Sequence, residues 1–219
     1  MNKVGLILLF TLFVSMTVSR KKKIIFFGDS ITQMGVQPGG YITRIGEALK
    51  AKGKEGSYEL TGAGIGGNKV YDLYLRMEED VLRRKPDRVV IYIGINDVWH
   101  KTSGTGTDIE KFGKFYQAII RKLKREKIRV YLCTPTVIGE KKNGANPQDT
   151  DLDAYAEVVR KLALDEQCGL VDLRSVFLKY EEQHNSGDRE SGILTTDRVH
   201  LNDRGNQLVA EEIMKAMGW

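Results

Sequence analysis

The chain has 219 residues, 41% of them apolar, and 34 Lys and Arg against 29 Asp and Glu give a net charge of +5. Two cysteines exclude a disulfide scaffold or a Cys-rich zinc module, and four prolines without a low-complexity tract exclude a long disordered arm. The basic runs Arg20-Lys21-Lys22-Lys23 and Arg121-Lys122-Lys124-Arg125 are short and read as solvated faces, so no nucleic-acid partner is expected.

Residues 1–19 read as a secretory signal. Lys3 precedes the apolar run Val4–Val14, and the small residues Thr17 and Ser19 stand before Arg20 as a signal peptidase requires. The run is short for a bilayer span, so cleavage near Ser19 is expected rather than anchoring, with no stable membrane insertion afterwards. No cysteine lies near the segment, which excludes a lipidated N-terminus. The expected location of the mature chain, residues 20–219, is secreted or periplasmic.

From Lys23 onward, short apolar runs alternate with amphipathic stretches. The runs Ile24–Phe27, a weaker Tyr58–Leu60, Val89–Ile93, Ile128–Cys133 and Leu170–Leu173 read as strands buried on both faces. Between them, Ile42, Ile45 and Leu49 share a helix face that Gly53 can end, and Val70, Leu73, Tyr74, Met77 and Val81 form a second stripe stopped by Pro86. Phe112 to Leu123 and Leu152 to Leu162 supply two more, and a last helix runs from about Arg204 to Met217, capped by Asn202 or Asp203. Five strands alternating with helices predict one α/β domain with a parallel sheet covered on both faces. If the last two strands are neighbours, about five residues of rise, roughly 15 Å, separate Cys133 from Cys168. That is too far for a disulfide, so both are expected as free, mostly buried thiols.

Ligands of open parallel sheets sit at the carboxyl ends of the strands. Four motifs fall there. The first strand ends in Gly28-Asp29-Ser30-Ile31, the second feeds Gly62-Ala63-Gly64-Ile65-Gly66-Gly67-Asn68, the third ends in Gly94-Ile95-Asn96-Asp97, and Asp197-Arg198-Val199-His200 lies near the chain's end. A serine hydroxyl becomes a nucleophile when a neutral imidazole takes its proton, and a carboxylate holds that imidazole in one tautomer. The Ser30 and Gly67 backbone N–H groups and the Asn96 side chain can supply donors to an oxyanion. A Gly-Asp-Ser triplet alone arises by chance in roughly one chain of this length in twenty. Four such motifs in order, each at a carboxyl edge, do not.

The set resembles the SGNH hydrolase superfamily, or GDSL esterases and lipases, over essentially the whole mature length. The resemblance implies a three-layer α/β/α sandwich with a five-stranded parallel, flavodoxin-like sheet, and an acyl-enzyme mechanism without a cofactor. By position it makes Ser30 the nucleophile, Asp197 and His200 its triad partners, and Ser30, Gly67 and Asn96 the oxyanion donors. Asp29, Tyr41, Val98 and Trp99 are candidates for the substrate pocket. The implied substrates are small-molecule or carbohydrate esters. A secreted serine esterase acting on short acyl groups, foremost an O-acetylated carbohydrate, is the leading expectation. A carbohydrate O-acyltransferase, a lysophospholipase or thioesterase, and a non-catalytic carbohydrate-binding module are the alternatives.

Two other readings fail on spacing. Gly62-x-Gly64-x-x-Gly67 matches a dinucleotide fingerprint, but it follows the second strand and no acid closes the next strand at the required distance. His100, His184 and His200 are scattered without a metal-binding spacing, so no metal is expected.

Overall fold

The computed structural model describes residues 20–219; the expected leader and its cleavage point lie outside the described residues. Five strands, β1 (Lys22–Gly28), β2 (Tyr58–Gly64), β3 (Arg88–Tyr92), β4 (Arg129–Cys133) and β5 (Gly169–Val171), form one sheet in the order β2-β1-β3-β4-β5. Every pair is parallel. The cause is legible residue by residue: Ile24–Phe27, Val89–Ile93 and Val130–Cys133 are buried continuously, as strands covered on both faces must be.

Among the described residues, eight α-helices connect and cover the strands: α1 (Ser30–Met34), α2 (Tyr41–Ala51), α3 (Val70–Asp80), α4 (Ile95–Trp99), α5 (Ile109–Arg125), α6 (Asp149–Asp165), α7 (Leu173–His184) and α8 (Asp203–Met217). Helices α3, α5 and α6 pack side by side in one layer, and α2 packs on α8 in the other. Helix α5 shows why such elements form. Asp108 caps it by accepting from Lys111 N–H, basic side chains close its last turn, and Phe112, Tyr116, Ile119, Ile120 and Leu123 are buried along one face. Each of those side chains contributes about 1.5–3 kcal/mol by leaving water.

The connectivity decides where a ligand can sit. The chain leaves β1 for the edge strand β2, then crosses back over β1 to β3 and proceeds outward. Connections from β1 and β3 therefore diverge, and the crevice between their carboxyl ends is the topological switch point. Ser30 follows β1 and Asn96 follows β3, so the fold delivers both to that crevice.

Three expectations need correction. β2 runs on through Thr61-Gly62-Ala63-Gly64, because the ladder to β1 holds these weak strand formers in place. β5 stops at Val171: Asp172 caps a helix by accepting from Ser175 N–H, and Leu173 and Phe177 turn their apolar side chains into the core. That helix, α7, has no counterpart among the expected elements. It is fixed to α6 by Arg174, 1% exposed, which donates to Asp149 and Asp153. Finally, the register sets Cys133 opposite Val171, so three residues of rise, about 10 Å, separate it from Cys168 rather than five. Both thiols are free; Cys133 is buried and Cys168 only half-buried.

Candidate active site

The sharp exit from β1 places the serine. A side chain on Gly28 would bring Cβ within 2.2 Å of the Tyr92 carbonyl oxygen and 2.4 Å of Thr32 Oγ1, so only glycine permits the turn. Asp29 then caps α1 by accepting from Ile31 N–H at 3.0 Å, and Ser30 becomes the first helical residue. As the first amide of a helix, Ser30 N–H has no acceptor within that helix.

Ser30 Oγ lies 2.9 Å from His200 Nε2, and His200 Nδ1 lies 2.7 Å from Asp197 Oδ2. With Nδ1–H donating to the carboxylate, Nε2 presents its lone pair and the serine hydroxyl donates to it. The other carboxylate oxygen accepts from Val199 N–H at 3.1 Å and His200 N–H at 2.8 Å. Partial burial pushes the Asp197 carboxyl up, but the His200 ring and these backbone donors outweigh it and hold the group below the ordinary carboxylate range. The residues that converge here are separated by as many as 170 positions in the chain.

The groups expected to donate to an oxyanion come from the loops after β2 and β3. Gly94, at φ +121°, caps α4 in a conformation that other residues rarely adopt, and sends Asn96 inward, 3% exposed. Asn96 Nδ2 donates to the Asn68 carbonyl at 3.1 Å, which fixes the orientation of the carboxamide and leaves its second hydrogen without an acceptor among the described residues. Gly67 is exposed in the turn from Ile65 to Asn68, and its N–H donates to no atom of the described chain.

Several contacts tie these loops together, and none was expected from the sequence. Gly66 N–H donates to Gln33 Oε1 at 2.9 Å, joining the glycine loop to α1. Arg76 donates to the Gly28 and Ala63 carbonyls and to Asn68 Oδ1, and its guanidinium lies over the Phe27 ring. Asp97, fully buried, accepts from Val70 N–H and so links the turn carrying Asn96 to the start of α3. Burial pushes Asp97 up to about 6 and Asp29 up to about 7, against the hydrogen bonds each accepts.

Of the residues expected at the pocket wall, Trp99 is half-buried beside the imidazole, its ring edge-to-face with His200 at 6.5 Å. Asp29, Tyr41 and Val98 are instead buried, none more than 1% exposed. Tyr41 packs on Phe26 and Tyr92 and shares a hydrogen bond with Thr32, so it belongs to the core beneath the site. No group of three His, Cys, Asp or Glu side chains among the described residues is arranged to hold a metal ion. Nor is any described helix long and apolar enough to cross a membrane.

A three-layer parallel fold with these groups at its switch point defines a class, and comparison agrees. Residues 26–208 match the GDSL-like lipase/acylhydrolase family, to which the chain belongs. It is a carboxylic ester hydrolase. A crystal structure of an acetyl xylan esterase is 59% identical, covers 89% of this chain and 98% of its own, and superposes with a TM-score of 0.87. The acetylxylan esterase of Geobacillus stearothermophilus is 28% identical over 93% of this chain and 97% of its own length, and its structure gives a TM-score of 0.79. Variants of that enzyme at a serine, an aspartate and a histidine are described as catalytic mutants. An uncharacterized lipoprotein of Bacillus subtilis is 24% identical over 73% of the chain and 74% of its own.

Proposed function

We propose that this protein removes acetyl groups from esterified carbohydrate through an acyl-enzyme on Ser30. The observation that carries the reading is the unbroken line from Asp197 Oδ2 through the His200 ring to Ser30 Oγ, at 2.7 Å and 2.9 Å. Ser30 Oγ adds to the ester carbonyl carbon while His200 Nε2 takes the hydroxyl proton. Asp197 holds the ring in place and stabilises the cation that forms. The carbonyl oxygen becomes an oxyanion that accepts from Ser30 N–H, Gly67 N–H and Asn96 Nδ2. Collapse breaks the bond to the alcohol, which leaves with the proton from His200. Water then repeats the sequence on the acetyl-serine, releasing acetate and regenerating the hydroxyl.

The substrate class is supported by the acetylxylan esterases among the relatives at 59% and 28% identity, each matched over most of its length. Trp99, half-buried beside His200, offers a flat apolar face of the kind on which sugar rings stack. Export is part of the same reading: residues 1–19 act as a signal cleaved near Ser19, since polymeric plant carbohydrate is met outside the cell.

A substrate panel tests it. Acetylated xylooligosaccharides and p-nitrophenyl esters of increasing chain length should show fastest turnover with acetyl, falling as the acyl chain lengthens. Preference for long acyl chains or thioesters, with no release of acetate from acetylated sugar, would overturn the substrate assignment.

A further inference from the structure

The imidazole and its carboxylate come from a stretch, 186–202, that contains no helix and no strand beyond a single bridge. Its tip is also bent unfavourably: Arg198, between Asp197 and His200, is held at φ +85°, where a side chain is rarely found. Bonds within the stretch close the tip, and groups outside it hold its base. We propose that Glu140, in the segment following β4, is the positioning residue that holds Asp197 and His200 against Ser30. The inference rests on the reading of those three residues given above.

The geometry of Glu140 supports this assignment. Its side chain is fully buried, and its carboxylate accepts three consecutive backbone N–H groups: Leu194 and Thr195 at 2.6 Å on Oε1, and Ile193 at 2.8 Å on Oε2. Those residues form the base from which the catalytic tip projects. Thr195 pairs with Leu201 across an antiparallel bridge, Asn202 N–H donates to the Leu194 carbonyl at 2.9 Å, and Thr196 N–H donates to the His200 carbonyl at 2.8 Å. The main chain beside Glu140 grips the same stretch: Gly139 N–H donates to the Arg198 carbonyl at 2.8 Å and Glu140 N–H to that of Glu190 at 3.0 Å. Asn185, itself buried, donates to the Glu140 carbonyl at 2.7 Å.

Only a carboxylate fits this role. An anion with two acceptor oxygens satisfies three parallel donors, whereas the amide of glutamine offers one oxygen and turns its own N–H groups on the Ile193 donor. Glu140→Gln therefore keeps the volume and the Oε1 bonds while losing the contact that sets the base of the tip. Catalytic distances are unforgiving: a displacement of about 1 Å costs on the order of 10²-fold in rate.

The test uses the full mature chain and three variants: E140Q, E140D and, as a control, S30A. E140Q should melt cooperatively, lower kcat for p-nitrophenyl acetate by about 10- to 100-fold and leave KM within about twofold. The strongly deshielded proton resonance of the His200–Asp197 hydrogen bond should be displaced or broadened, which a general loss of stability in a folded sample would not produce. If E140Q fails to fold, E140D carries the same measurements, because it keeps the charge on a stem too short for all three donors. A folded variant with wild-type kcat and an unmoved resonance, while S30A is inactive, would overturn the role of Glu140. Retained turnover by S30A would instead reject the reading of the site itself.

Discussion

The Asn96 carboxamide is tied to the main-chain carbonyl of Asn68 at 3.1 Å, so a donor from the end of β3 is held by the very loop that carries Gly67. One hydrogen is spent on orientation, and in the proposed mechanism the other serves the substrate. Asn96→Ala should therefore lower kcat by about 10²–10³-fold with little change in KM, as expected for a donor used mainly in the transition state. Asn96→Asp keeps the shape, removes the donor and adds a negative charge, and should be at least as damaging. Steady-state kinetics on p-nitrophenyl acetate check both; a loss below threefold in either would remove Asn96 from the oxyanion site.

A second outcome concerns pH and stability. Burial, together with the negative charge of Glu140, pushes the Glu181 carboxyl from 4.5 up to about 8. Across that window the native state keeps a proton that the unfolded chain has released, so this group's contribution to stability falls as pH rises from 4.5 to about 8. Glu181→Gln removes the titration. Its melting temperature should exceed that of the wild type at pH 9 by more than at pH 5, each kcal/mol regained being worth about 2–4 °C. Thermal unfolding at the two pH values measures this, and an equal difference at both would contradict it.

The cysteines provide a third. Burial pushes the Cys133 thiol far above its ordinary range and the Cys168 thiol up to about 11. Because the thiolate is the reactive form, Ellman's reagent at pH 8 should label Cys168 slowly and leave Cys133 untouched in the native protein. Unfolding without reductant should expose both thiols. Fewer than two equivalents under those conditions would mean that they are joined.

What the sequence discloses and what it hides divides along physical lines. Strands β1, β3 and β4 announce themselves because burial on both faces demands unbroken apolar runs such as Ile24–Phe27. The second half of β2 does not, since Gly62, Ala63 and Gly64 gain their conformation from pairing with β1 and not from their own preference. Helix α7 hides because Asp172 reads equally as the end of a strand and as a cap. Ser30 and Asn96 stand out as short motifs just after strands, and Asp197 and His200 as a motif just before the last helix. By contrast, Gln33, Arg76 and Glu140 are residue types common on any surface, and their contacts arise only where distant segments meet. Tyr41 misleads for the opposite reason: an aromatic beside a rim loop reads as a pocket wall, yet its ring is needed below the sheet edge to pack on Phe26 and Tyr92.

Everything in the proposed mechanism passes through one covalent species, and trapping it is the most direct measurement. Wild-type enzyme mixed with excess p-nitrophenyl acetate and quenched in acid should yield, on peptide mass analysis, a single acetyl group on the peptide containing Ser30. Ser30→Ala should give no labelled peptide and lose more than about 10⁴-fold in turnover with its circular dichroism unchanged. An acetyl group found reproducibly on another residue, or a Ser30→Ala protein that still turns over at the wild-type rate, would contradict the account.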